Sequence, residues 1–469
     1  MKRVSAMWFA VFAVCYVVTN YAEATWPSPS LSHVLSLFGL LALICGLLSL
    51  TLRQALLPLA IIAASLSVGT LHSGLAGIGM AWQGFTVMRG MVTVILVVPM
   101  ISWALKSEPY IQYLILHWSR LLNTSVKFYS AVMIVAQLIG CFLLVASIPV
   151  TYQFISGFLS GERDRHWDFL KSAAVLRGFS LLSLWSITNP SFAFAVEMLG
   201  VPVARAMGNG FVLAALGLLL AIGMFAVFER RGNDRLTEEI NRHLAREAAA
   251  RDAAEIRRKY YEFLVLLITL LGGIALVNSI TTWGLLTVMP LTVIVWTTGY
   301  FAIKRKLPLF AAETAAYFKG GMLGRAREIC IFLAAGMFIS EIQGTGIAHA
   351  AVATMYQLTS DTAWLNFLLI MPCAVVCFSL MGMPPLASSV LVLGIVQVIA
   401  LPYPPELTFI AVTLGVACCI LISPINVPGL LLSAENGYSS YINTFKLNKW
   451  YVLALFALVE LIIQCVWLF

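Results

Sequence analysis

Two short polar interruptions carry the residue types from which a solute or ion site could be made. Ser186-Ile187-Thr188-Asn189-Pro190-Ser191 breaks a long apolar stretch at 170–199, and Ser423-Pro424-Ile425-Asn426-Val427-Pro428 breaks another at 407–435. Proline removes a backbone donor and disfavours helix in the residue before it, so a helix entering either segment should stop and restart. Inside a membrane such a break leaves unpaired N–H groups at the head of one half-helix and unpaired C=O groups at the tail of the other. The first attracts an anion and the second can coordinate a cation. Ser186, Asn189, Ser423 and Asn426 add hydroxyl and amide groups at the same depth, which makes them candidate cation ligands, with Asn189 and Asn426 also facing a substrate. The plain alternative is that these side chains only satisfy backbone groups freed by the prolines.

Further candidates lie beside two other proline-containing segments. Ser147 and Thr151 flank Pro149 in Ser147-Ile148-Pro149-Val150-Thr151, and Ser388 and Ser389 follow Met381-Gly382-Met383-Pro384-Pro385. All four are candidate substrate ligands, Ser147 also a cation ligand; small polar residues equally serve close helix packing. Ionisable groups inside apolar runs are costly and often functional, so Arg177, Glu197 and Glu435 are candidates for coupling or gating. Arg177 could counter an anion, whereas Glu197 and Glu435 fall near interfaces where a solvated carboxylate is the simpler account. Arg89 and Arg205 are expected to snorkel to the outer interface. The nine cysteines lie in apolar runs without nearby His or Asp, as buried thiols do, and the six histidines are scattered. No HExxH, GxSxG or Walker motif occurs, so no catalytic residue, transition metal or cofactor is expected and the chain does not read as an enzyme.

The elements that must position these residues are membrane helices. Of the 469 residues 61% are hydrophobic and 11% charged, which excludes soluble and disordered classes. At about 20 apolar residues per span, the chain can cross a bilayer roughly ten times. The net charge of +8 is spread through short loops, so it reports orientation and not a nucleic-acid partner. The N-terminal apolar run to about Thr19 reads as an uncleaved helix, with a signal peptide ending at Ala22-Glu23-Ala24 as the alternative. Spans follow at 32–51, 54–71 and 84–104, with Arg53 and Lys106 cytoplasmic. The stretch 125–160 has basic residues on both flanks, so it enters and returns as a re-entrant hairpin with its tip at 147–151. The broken span 170–199 and a span at 206–228 complete the first half.

Residues 229–260 form the strongly charged linker, with Glu238/Arg242, Glu247/Arg251 and Glu255/Lys259 spaced as i, i+4 pairs and a thin apolar stripe of Leu236, Ile240 and Leu244. It reads as a solvated cytoplasmic helix. Spans at 262–280, 285–303 and 328–343 follow, with an amphipathic stretch around 311–324. A hairpin at 364–400 with its tip at 381–385, the broken span 407–435 and a last span at 450–468 complete the second half. Ser186 and Ser423 are 237 positions apart, as are Asn189 and Asn426, and the same shift carries Arg89 and Pro149 to within one residue of Arg325 or Arg327 and of Pro385. The halves start on opposite sides of the membrane. The pattern therefore predicts an all-α polytopic membrane protein of about 11 transmembrane helices in two inverted repeats, each with a re-entrant hairpin and a broken helix.

Three spans, a hairpin, a broken helix and a closing helix, given twice after a first helix, resemble the ion transporter superfamily, which includes the divalent anion/sodium symporters, and are similar to arsenite and gluconate permeases. In the symporters each hairpin tip carries a Ser-Asn-Thr motif; Ser147 and Thr151 could stand in for it, while 381–389 departs from it. The resemblance implies a peripheral helix at 1–31, a scaffold at 32–104 and 261–343, transport parts at 105–228 and 344–469, and a homodimer through the scaffolds. It implies sodium-coupled movement of a small organic anion across the inner (plasma) membrane by an elevator-like mechanism. The alternatives are an exporter or flippase of a lipid-linked or amphipathic anion, suggested by the apolar second tip, and, from another class, a membrane-embedded enzyme or a regulatory protein.

Overall fold

The structure is a computed structural model and describes residues 2–74, 76–118, 124–156, 165–229, 242, 246, 251–360, 366–397 and 402–468. Every regular element among them is helical. The chain begins with α1 (Lys2–Thr25), α2 (Pro29–Ser49), α3 (Leu52–Ser73), α4 (Ala76–Val87), α5 (Arg89–Val97), α6 (Ile101–Lys106) and α7 (Tyr110–Trp118). It continues with α8 (Ser125–Leu143), α9 (Ser147–Ser156), α10 (Arg165–Trp185), α11 (Pro190–Leu199) and α12 (Val203–Met224). The second half holds α13 (Ala253–Ile280), α14 (Leu285–Ile303), α15 (Leu307–Ala316), α16 (Ala326–Thr345), α17 (Ile347–Ser360), α18 (Phe367–Leu380), α19 (Pro385–Val396), α20 (Pro405–Ile422), α21 (Val427–Asn436) and α22 (Leu447–Leu468). Twelve stretches among the described residues are long and apolar enough to cross a bilayer, and α18 and α19 are shorter apolar helices. The chain is an all-α polytopic membrane protein.

Two compact units emerge. Unit 1 comprises Met1–Trp103, Leu276–Phe367 and Ser389–Pro402; unit 2 comprises Ala104–Ala275, Leu368–Ser388 and Tyr403–Phe469. In unit 1 the first helix extends past Thr19 to Thr25, because its later residues find partners: the Tyr16 hydroxyl donates to the Phe85 carbonyl and the Asn20 amide to Thr93 Oγ1. Arg89 does not snorkel freely as expected but pairs with Glu23 at the end of α1. The expected single span 84–104 is a succession of α4, α5 and α6, interrupted at Met88 and at a 310 turn around Pro99, whose ring cannot donate to the preceding turn.

Unit 2 holds both broken helices. α10 ends at Trp185 and α11 restarts at Pro190; α20 ends at Ile422 and α21 restarts at Val427, ahead of Pro428. Proline suits the first turn of a helix, where its missing N–H has no intrahelical partner to lose. Both second halves stop on a glycine in the left-handed region, Gly200 (φ 64°) and Gly437 (φ 76°), again 237 positions apart. Gly178 and Gly415 keep the same interval and make the same approach: a Cβ on Gly178 would lie 2.5 Å from the Met133 carbonyl of α8, and one on Gly415 2.8 Å from Val375 of α18.

The inversion is also visible in unit 2. Near the start of α10, Ser172 accepts a hydrogen bond (3.0 Å) from the Asn436 amide at the end of α21. At the other end, the Phe192 ring of α11 stands 5.2 Å from Phe409 near the start of α20, and Arg205 pairs with Glu406 at 3.1 Å. The two broken helices therefore lie antiparallel. Arg205, expected only to snorkel, is an ion-pair partner that stays largely exposed.

The first hairpin turn falls ahead of the expected tip, and the second falls within it. The first is a 310 turn at Leu144–Ala146, with Leu144 at φ 49°, and Ser147–Thr151 is already the first turn of α9, where Pro149 is tolerated. The second turns at Met381–Pro384 through Gly382 (φ 101°), so that Ser388 and Ser389 lie within α19. Most of the linker, including Glu238, Glu247, Leu236, Ile240 and Leu244, lies outside the described residues. Its described end is the start of α13, and there the expected Glu255/Lys259 pair is replaced. Lys259 binds Glu108 (2.8 Å) and Glu262 (3.5 Å), and Glu255 accepts from the Tyr113 hydroxyl of α7.

Candidate functional site at the helix breaks

Asn189 and Asn426 are the N-caps of α11 and α21. Each is in extended backbone conformation, and its side-chain oxygen accepts from a backbone N–H of the helix it opens: Ser191 at 2.9 Å and Gly429 at 3.0 Å. That is the bond an Asn cap supplies to a helix head with unpaired donors. The other end of the two amides differs. Asn426 Nδ2 donates to the carbonyls of Cys419 (2.8 Å) and Ile420 (3.1 Å), closing the tail of α20. The Asn189 nitrogen makes no such bond among the described residues, although Asn189 is 7% exposed.

The serines of the two breaks tie each one to the preceding hairpin. Ser186 Oγ contacts Cys141 Sγ at 3.5 Å and shares a hydrogen bond with Thr188 Oγ1 (2.9 Å). Ser423 Oγ donates to the Ser379 carbonyl at 3.2 Å. The repeat thus reproduces a cross-link from the break to the last turn before each hairpin tip. Cys141 and Ser379 were not singled out in the sequence; the 237-residue shift, which relates them to within one position, is the signal that could have found them.

On the first hairpin, Ser147 and Thr151 are one turn apart on one face of α9, and both are buried. Their hydroxyls have no hydrogen-bond partner among the described residues. Ser147 Oγ sits 3.6 Å from the position of a Cβ on Gly140, beside the Cys141 that Ser186 touches, so hairpin and break converge. Buried polar atoms are nearly always paired, and an orphan costs about 1–3 kcal/mol, so two on one face need a reason. On the second hairpin the Ser388 hydroxyl donates to the Pro384 carbonyl one turn back (3.2 Å). Ser389 is buried and belongs to unit 1, whereas Ser388 belongs to unit 2.

Arg177 is fully buried on α10. Its guanidinium donates to Asn448 Oδ1 (3.0 Å), the Tyr129 hydroxyl (2.8 Å) and the Leu447 carbonyl (3.0 Å), and stacks over the Tyr451 ring at 4.9 Å. These contacts fasten α10 to α22 and α8. They make Arg177 a clamp between helices of unit 2 more than two turns from the break. Glu435, half-buried on α21, accepts from Gln153 Nε2 with both oxygens (3.0 Å each), which links α21 to the hairpin helix α9. Glu197 is exposed at the end of α11.

The arrangement can hold a small polar solute or an ion on the first-repeat side. Hydroxyls of Ser147, Thr151, Ser186 and Thr188, the Asn189 amide and the head of α11 are gathered there. On the second-repeat side the Asn426 amide is satisfied internally, while the buried Ser379 hydroxyl has no hydrogen-bond partner among the described residues. No model of a known protein family matches the chain, and no curated protein matches it. Among solved structures it is similar to the YdaH transporter of Alcanivorax borkumensis, with a TM-score of 0.54 and 16% identity over 89% of this chain and 98% of that one. It is also similar to MtrF of Neisseria gonorrhoeae, described as illuminating a class of antimetabolite efflux pumps, with a TM-score of 0.54 and 15% identity over 88% of this chain and 94% of that one. At these identities the likeness establishes a shared fold.

Proposed function

We propose that this chain is a secondary transporter of the ion transporter superfamily type. In this proposal it moves a small organic anion across the inner membrane, coupled to sodium, through an elevator-like displacement of the bundle that carries the helix breaks. The observation that carries the proposal is the pair of antiparallel broken helices in one unit, with the orphaned hydroxyls of Ser147 and Thr151 beside the first of them. Paired discontinuous helices in inverted repeats mark transporter sites, because half-helix ends supply both an anion-attracting head and cation-coordinating carbonyls. Sodium is favoured over protons at this site because its groups are hydroxyls, amides and carbonyls, with no carboxylate among them. Ser147, Thr151 and Asn189 are the proposed substrate contacts, with Ser147, Ser186 and Asn189 on the cation; Asn426 and Ser423 act chiefly by shaping the second break. A homodimer follows from the same resemblance.

A second proposal, export of an amphipathic or lipid-linked anion, is favoured by one observation: the second hairpin presents an apolar turn, with Met381 77% exposed and Pro384 and Pro385 behind it. One experiment addresses both. Purified protein is melted across a library of short-chain organic anions and lipid phosphates, in sodium and in a bulky organic cation at matched ionic strength. A ligand selective for the folded state stabilises it by about 2.7 kcal/mol at a hundredfold excess over Kd. Sodium-dependent stabilisation by a soluble anion supports the first proposal, stabilisation by lipid phosphates alone supports the second, and indifference to every anion counts against both.

A further inference from the structure

We propose that Glu341 is a proton-binding site of unit 1, separate from the helix breaks, in which the carboxyl is held as the neutral acid. Glu341 lies on α16, is 0% exposed, and neither carboxyl oxygen has a hydrogen-bond partner among the described residues. It sits against Gly69 of α3 so closely that a Cβ there would stand 2.3 Å from Oε2 and 2.5 Å from Cδ. Gly69 in turn abuts Gly77 of α4, where a Cβ would meet the Gly69 carbonyl oxygen at 2.7 Å. The carboxyl is therefore enclosed where α3, α4 and α16 approach through their smallest residues. One turn before Gly69 on the same helix, the buried Ser65 hydroxyl is also without a partner. Two orphaned polar side chains, one of them an acid, share this apolar contact.

The charged and titratable groups of the surrounding elements lie elsewhere. Arg53 and His72 of α3 are exposed, and α4 carries none. Arg327 and Glu328 of α16, and Arg325 just before it, lie at the opposite end, about 20 Å away at 1.5 Å per residue. His33 of α2 accepts from the Trp82 indole, Arg89 of α5 is paired with Glu23, and His349 of α17 is exposed. With no counter-charge, and with the Ala81 backbone N–H of α4 acting on the carboxyl without reaching hydrogen-bond geometry, an ionised carboxylate is the costly form and the neutral acid the stable one. A metal cation would need a shell of oxygens. Among the described residues of α3, α4 and α16 the orphaned buried side-chain oxygens are those of Glu341 and Ser65 alone, which suits a proton. An acidic residue inside the apolar run 328–343 was the sequence signal for this site.

The test is infrared spectroscopy of the full-length protein in lipid bilayers at neutral pH. Wild type should show the C=O stretch of a protonated carboxyl, and Glu341→Gln should lose that component. Glu460 on α22 is the other buried glutamate among the described residues, so Glu460→Gln identifies a second component from it. Gly69→Ala, which keeps the acid but presses on it, should shift the Glu341 band, and this arm remains decisive if Glu341→Gln fails to fold. Replacing a bulky organic cation by sodium should leave the band in place. Persistence of the full band in Glu341→Gln, an unmoved band in Gly69→Ala, or its bleaching by sodium would each overturn the proposal. None of these measurements depends on transport.

Discussion

Asn189 and Asn426 open the second halves of two broken helices with the same side-chain oxygen, yet only Asn426 turns its amide nitrogen back onto the helix it interrupts, at 2.8 and 3.1 Å from two carbonyls. The two positions are equivalent in the repeat and different in use. Replacing Asn426 by Leu removes a cap, worth about 1 kcal/mol, together with two buried donor bonds, each worth about 0.5–1.5 kcal/mol. Replacing Asn189 by Leu removes the cap alone. Asn426→Leu is therefore expected to lower the unfolding temperature markedly more than Asn189→Leu. Thermal unfolding of the two purified variants checks this, and equal losses would mean that the amides are equivalent.

The close approach of the broken helices to the hairpins is a second consequence of the repeat. Gly178→Ala and Gly415→Ala each force a methyl group into occupied space, and overpacking of this kind costs about 1–3 kcal/mol. Gly223 of α12 meets nothing within 4 Å, so Gly223→Ala should be neutral or stabilise by up to about 1 kcal/mol through helix propensity. Unfolding temperatures of the three variants should separate into two that fall and one that holds or rises. A tolerated methyl group at Gly178 and Gly415 would show that the hairpins pack less tightly than described.

Much of this was readable in the residues, and the limits have physical causes. Composition and the Ser/Asn-proline clusters disclosed the membrane helices and both breaks; proline alone would not have, since Pro58, Pro290 and Pro372 lie inside α3, α14 and α18. The 237-residue shift related the breaks, and the same interval reappears in Gly178/Gly415 and Gly200/Gly437. The first hairpin tip was misplaced by a few residues because proline marks the first turn of a helix as readily as the turn before it, as Pro149 does. Partners distant in sequence were not legible at all: the Tyr129, Asn448 and Tyr451 cage of Arg177 depends on packing of three helices, and so does the enclosure of Glu341.

Arg177 separates a clamp from a coupling group. Three of its hydrogen bonds run to neutral partners on α8 and α22, and bonds to a charged group are worth about 1.5–3 kcal/mol each. Lys is a point charge that cannot reproduce the fork. Arg177→Lys is expected to destabilise by roughly 3 kcal/mol or more while the protein that remains folded binds sodium and substrate with unchanged affinity. Binding measured at equal folded concentration provides the check. An affinity loss of tenfold or more would return Arg177 to the site.

The central measurement is anion-dependent melting of Thr151→Val in sodium. Thr151 is buried with an orphaned hydroxyl, and Val removes that hydroxyl at nearly constant shape. If the hydroxyl exists for a ligand, the variant should gain about 1 kcal/mol of stability in the absence of sodium and substrate, since an unsatisfied buried group costs that much or more. It should also lose most of the stabilisation that the identified anion confers on wild type in sodium. A variant that melts as wild type does and responds equally to that anion would place the site elsewhere and contradict the role assigned to the first hairpin.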